Sequence, residues 1–146
     1  MSQENVEIVK ALSPPSGTEL TELFADDAGA VDRLQSAASL FHREFEFESH
    51  AGVGERPQGR GLQELAESWR EWMQPFEVWR TEVEEFIDVD DDRVLVLIRD
   101  HVRPRDADSE IESVGCNLWT LRAGKVARID FFPNREQGLE AAGLPK

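Results

Sequence analysis

Tyrosine is absent from the 146 residues, so the chain has no phenolic hydroxyl to serve as an acid or a hydrogen-bond donor. Cysteine occurs once, at Cys116. An intrachain disulfide is therefore excluded, and a lone thiol suits a reducing compartment. Cationic residues are few: 16 Lys and Arg stand against 30 Asp and Glu, a formal net charge of −14. Such a surface repels phosphate backbones and anionic lipid headgroups, which argues against nucleic acid or membrane as a partner. No apolar run approaches the length that crosses a bilayer. Met1 to Asn5 lacks the basic start and apolar stretch of a secretion signal. The expectation is one cytoplasmic domain spanning 1–146, long enough to bury a core.

Several site signatures fail on inspection. Asp88-x-Asp90-x-Asp92 opens like a calcium loop, but Arg93 takes the glycine position and Arg99 the closing acid position. His42, His50 and His101 do not have zinc-ligand spacing. Gly52-x-Gly54 and Gly59-x-Gly61 lack the Lys-Ser/Thr ending of a phosphate loop. Cys116 has no histidine near it in sequence and reads as core. No metal and no cofactor are expected.

Periodicity outlines an α+β domain. A first helix is expected from Gln3 to Leu12, with Val6, Val9 and Leu12 on one side and Pro14-Pro15 as its stop. A short helix follows Thr18, with Leu20, Leu23 and Phe24 inward. A third is suggested by Val31, Leu34, Ala38 and Phe41. Glu44 to Glu48 alternates as a half-buried strand with Phe45 and Phe47 on one face. A Gly- and Pro-bearing loop covers Ala51 to Gly61. The clearest helix carries Leu62, Leu65, Ala66, Trp69, Trp72, Met73 and Phe76 as a broad stripe. Four strands follow: Val78 to Val89, Val94 to Val102, Ile111 to Arg122, and Val126 to Phe132. Val94 to Val102 is the most apolar and is expected to be central. Ala123-Gly124 fits a two-residue hairpin turn, and Glu136 to Ala142 a closing helix stopped by Gly143. Hairpin-linked strands of this kind give a mainly antiparallel sheet.

This element order, with Trp119-Thr120-Leu121-Arg122-Ala123-Gly124-Lys125-Val126 followed by Asp130 and Phe131-Phe132, resembles the nuclear-transport-factor-2-like superfamily in its SnoaL-like polyketide-cyclase branch. Glu4-Asn5-Val6-Glu7-Ile8-Val9 is similar to the opening of many SnoaL-like proteins. The resemblance implies a curved, mainly antiparallel sheet forming a cone-like half barrel covered by N-terminal helices. It also implies a hydrophobic pocket and a homodimer. Its enzymes include polyketide cyclases, ketosteroid isomerases, epoxide hydrolases and dehydratases, and other relatives bind or dimerise without catalysis. The scaffold therefore does not specify the chemistry.

With Ala123 and Gly124 as turn residues, uninterrupted pairing sets Trp119 against Arg128, Asn117 against Asp130 and Gly115 against Phe132. Asn117, Trp119, Arg128, Asp130 and Phe132 then share one face; Cys116, Leu118, Thr120, Ala127, Ile129 and Phe131 share the other. On pattern alone the second, apolar face is the core and the first is solvated. The resemblance implies the reverse, because it places the catalytic acid at Asp130, with Asn117 standing where cyclases tend to carry a histidine. On the preceding strand Arg99, His101 and Arg103 alternate onto one face, and Ile98, Asp100 and Val102 onto the other. Arg99 and His101 are candidate positioning or proton-transfer groups; pairing with acidic neighbours accounts for them equally well. Ketosteroid isomerase chemistry is disfavoured, since its oxyanion hole needs a phenol and indole N–H is a poorer substitute.

Two functions remain. One is a cofactor-free isomerase, cyclase or hydrolase using Asp130 with Asn117, Arg99 and His101. In it, Trp69, Trp72, Trp119, Phe47 and Phe132 line a pocket for a small apolar or carbonyl-containing molecule. The other is a non-catalytic ligand-binding or dimerisation module.

Overall fold

The computed structural model describes residues 2–13, 18–23, 37–50 and 58–145. Helix α1 (Ser2–Leu12) is followed by a short edge strand β1 (Thr18–Glu19) and the single turn α2 (Leu20–Leu23). Strand β2 (Phe41–Ser49), edge strand β3 (Gln58–Arg60) and helix α3 (Gly61–Met73) come next. Four long strands then run in succession: β4 (Phe76–Asp88), β5 (Arg93–Pro104), β6 (Ile111–Arg122) and β7 (Lys125–Phe132). Helix α4 (Arg135–Ala142) closes the order.

Most of the expected elements are present, and the departures have local causes. Phe76 begins β4 instead of ending α3, because Pro75 has no amide N–H to donate and cannot continue the helix. Of the expected third helix, Val31 and Leu34 lie outside the described residues. Ala38–Leu40 forms one 3-10 turn, and Phe41 is a buried strand residue.

The strand order is β1-β4-β5-β6-β7-β2-β3. Every neighbouring pair is antiparallel except β2–β7, which is parallel. The sheet is mixed, mostly antiparallel, and neither closed nor strongly curled. α1 and α3 cover one face, where Val6, Val9 and Leu65 meet Phe45, Phe47, Val94, Val96 and Trp119. α4 covers part of the other, against Leu95, Cys116 and Leu118. Val94, Leu95 and Val96 are consecutive and all but fully buried, because β5 is covered on both sides. A strand so placed reads as an unbroken apolar run.

α4 is seated by two local devices. Asn134 caps it, its side-chain oxygen accepting from the Gln137 amide at 2.9 Å. Gly143 ends it in the left-handed region, φ 75°. Between them Gly138 sits directly on Cys116: a Cβ there would fall 1.9 Å from Sγ. Burial pushes that thiol up to about 11, so it stays protonated as a core group.

Candidate functional site

The β6–β7 hairpin decides which side chains share a surface. Ala123 (φ 54°) and Gly124 (φ 78°) form the expected two-residue turn. Arg122 pairs with Lys125 and Leu121 with Val126. The register then slips between Leu121 and Thr120, and Thr120 pairs with Arg128. Ala127 is the extra residue of a β-bulge. Beyond it Trp119 faces Ile129, Leu118 faces Asp130, Asn117 faces Phe131, and Cys116 faces Phe132.

A one-residue slip moves every later side chain to the opposite face. The expected Asn117–Asp130 pair therefore does not form. Asn117 and Trp119 point to the α1/α3 face with Ile129 and Phe131. Asp130, Arg128 and Phe132 point to the α4 face with Leu118 and Cys116. Sequence held one signal for this: Val126 and Ala127 are adjacent and both apolar. Both are buried, at 0% and 6% exposure, beside the slip.

On the α4 face Asp130 is the centre of an ion cluster. It is 8% exposed. Arg128 donates to both its oxygens, Nε to Oδ2 and Nη2 to Oδ1, each at 2.9 Å. The same guanidinium reaches Glu46 at 2.8 Å and Glu48 at 3.2 Å. Parallel pairing of β2 with β7 sets Glu46 beside Arg128 and Glu48 beside Asp130, which is why the cluster forms. Asp130 first, then Glu46, hold the Arg128 pKa above its ordinary value. His50 Nε2 lies 2.8 Å from Asp130 Oδ1, and its ring stacks on Phe132 at 4.5 Å. A groove of about 570 Å³ beside the cluster is lined also by Thr120, Gln137 and Ala141. Sequence reasoning considered His50 only as a metal ligand and missed this role; its place two residues after Glu48 and four after Glu46 was the available clue. A carboxylate gripped by a guanidinium fork and an imidazole is held in one orientation.

Arg99 and His101 share that face but join other partners. Arg99 Nε donates to Glu84 at 2.9 Å, and Nη1 pairs with Glu112. His101 Nε2 is 3.5 Å from Glu82. The acidic-neighbour reading describes them.

The α1/α3 face has a different character. Its sealed part surrounds Phe45, Phe47, Val94 and Val96. Its accessible part holds half-buried aromatic rings. Trp69 contacts Trp72 at 5.5 Å, Phe131 at 5.6 Å and Trp79 at 6.3 Å. Phe47 meets Trp72 at 6.3 Å beneath them. Of the expected pocket residues, Phe47, Trp69, Trp72 and Trp119 are on this face, while Phe132 is not and Phe131 takes its place.

A part-buried acid on this face is Asp100. β5 turns it away from Arg99 and His101 and toward Thr81, whose hydroxyl donates to it at 2.6 Å. Burial pushes its carboxyl above the ordinary carboxylate range, opposed by hydrogen bonds from Thr81 and Trp79 and by the nearby His101. Trp79 in turn contacts Trp69. A carboxyl whose burial favours its neutral form, at the edge of an aromatic surface, can give or take a proton at a bound carbonyl compound. Among the described residues no His/Cys/Asp/Glu group has the arrangement of a metal site, and no helix is long and apolar enough to cross a membrane.

Comparison with known proteins agrees with this architecture. The SnoaL-like domain pattern matches residues 22–129. No curated protein matches the chain. Among solved structures, a phenazine biosynthesis-related protein from Pseudomonas aeruginosa superimposes with a TM-score of 0.62 at 20% identity, covering 99% of this chain and 88% of the other. TerC, co-crystallised with polyporic acid, gives 0.63 at 20% identity over 96% and 98%. A protein of ketosteroid isomerase-like fold from Catenulispora acidiphila, in complex with trimethylamine, gives 0.58 at 16% identity over 86% and 92%. At these identities the likeness concerns the fold.

Proposed function

The chain belongs to the SnoaL-like domain family, and from that premise we propose that it binds a small, planar, carbonyl-bearing molecule on the α1/α3 face and moves a proton on it through Asp100. The reaction class is isomerisation, cyclisation or hydrolysis. The observation that carries this reading is Asp100 itself, a carboxyl held above its ordinary pKa beside a half-buried aromatic surface. The ligands of two structural neighbours, polyporic acid and trimethylamine, lend support to small-molecule binding. Asp130, the acid first expected to act, is assigned to holding β2 against β7.

The test is a panel of aromatic ketones and enol lactones assayed with wild type, Asp100→Asn and Asp130→Asn. Turnover that disappears in Asp100→Asn and survives in folded Asp130→Asn supports the proposal. The reverse pattern returns the chemistry to the α4 face. Ligand binding without turnover in any protein identifies a non-catalytic binding module. That second reading is favoured by Asp100 having no base beside it on its own face among the described residues.

A further inference from the structure

We propose that the Trp119 indole N–H and the Asn117 carboxamide form an oxygen-binding subsite that accepts a ligand carbonyl; this rests on the α1/α3-face reading above. Trp119 is 8% exposed, and its Nε1 is a buried donor with no hydrogen-bond acceptor among the described residues. Buried donors are almost always partnered, and leaving one unpaired costs about 1–3 kcal/mol. The indole does not use the side-chain oxygen of Asn117. That amide, half-buried two residues earlier on the same face, makes no hydrogen bond to a described residue.

The neighbours across the sheet explain the vacancy. Trp119 lies between Val94 and Ile129, and Asn117 between Val96 and Phe131. None of these side chains offers an acceptor. Residues two apart on a strand have Cα atoms roughly 6.5–7 Å apart, so two N–H groups of this length can converge on one oxygen. The indole's missing partner is an acceptor, and the half-buried Asn117 amide stands where it can share it. A carbonyl oxygen satisfies both donors, whereas a ligand lacking that oxygen leaves them unpaired, which is how such a site discriminates. The subsite supplies from indole and amide the donors that a chain without tyrosine cannot take from a phenol.

The test uses the intact chain labelled with nitrogen-15. Its four tryptophans give separate indole N–H resonances, and the one lost in Trp119→Phe identifies Trp119. The probes are 1-tetralone and tetralin, which share a skeleton and differ in the carbonyl. The expected result is a downfield shift of the Trp119 N–H with tetralone alone. Trp119→Phe and Asn117→Ala should each weaken tetralone binding roughly tenfold and leave tetralin binding unchanged. Tetralone shifting the Trp69 and Trp72 resonances but not Trp119, or both probes acting alike on Trp119, overturns the subsite and leaves the face reading in place. If no indole resonance moves with either probe, the face reading fails and the subsite with it.

Discussion

Asn117 and Asp130 lie on opposite faces of one hairpin, although uninterrupted pairing would set them directly opposite each other. Ala127 separates them: one extra residue in β7 turns Arg128 and Asp130 together toward His50 and leaves Asn117 between Val96 and Phe131 on the other face. The two carboxyls of interest, Asp100 and Asp130, consequently occupy different surfaces and should respond differently to substitution.

Arg128→Ala should destabilise the protein by roughly 2–3 kcal/mol, because it strips a buried carboxylate of its guanidinium. His50→Ala should cost less, since the fork to Asp130 remains. Neither should alter ligand affinity on the α1/α3 face. Urea unfolding and ligand titration of the same samples check both statements.

Asp100→Asn should be more stable than wild type at neutral pH. A raised folded pKa means that the unfolded chain releases its proton first as pH climbs. The contribution of this group is therefore full below the ordinary carboxylate value of 3.8 and is lost as pH rises through the folded value. The stability gap between variant and wild type should open with rising pH and close in acid. Denaturation midpoints measured across that range would contradict the assignment if the gap ran the other way.

Gly138→Ala should destabilise by about 1–3 kcal/mol through overpacking, since the new methyl meets the Cys116 sulfur. Cys116 is fully buried and has nowhere to turn. Cys116→Ala in the Gly138→Ala background should recover part of the loss, a non-additivity that thermal melts of the four proteins can quantify.

Ala123 holds a positive φ that only the turn requires. Ala123→Asn should stabilise by roughly 0.5–1 kcal/mol, because Asn enters the left-handed region more readily and Asn-Gly suits this turn. An unchanged or lowered melting temperature would count against the turn geometry.

Association is a further expectation: light scattering should give a dimer if the charged outer sheet face that carries Arg99, His101 and Arg103 is an interface, and a monomer contradicts it.

Element types and most boundaries were legible in the residues. The stripe from Leu62 to Met73, the alternation of Phe45 and Phe47, the turn at Ala123-Gly124 and the stop at Gly143 each act locally, through side-chain periodicity or backbone preference. The family was legible for the same reason, as an order of such elements. What the tertiary structure alone decided is which residues meet. The bulge at Ala127 sets which face Arg128 and Asp130 take, and it shows only in the pairing of β7 with β6. The parallel pairing of β2 with β7, which brings Glu46, Glu48 and His50 to Arg128 and Asp130, joins segments some eighty positions apart. Asp100 reads along the chain as one more charge at a strand end. Its raised pKa comes from burial, against the hydrogen bonds from Thr81 and Trp79, and burial exists only once the chain has folded around it.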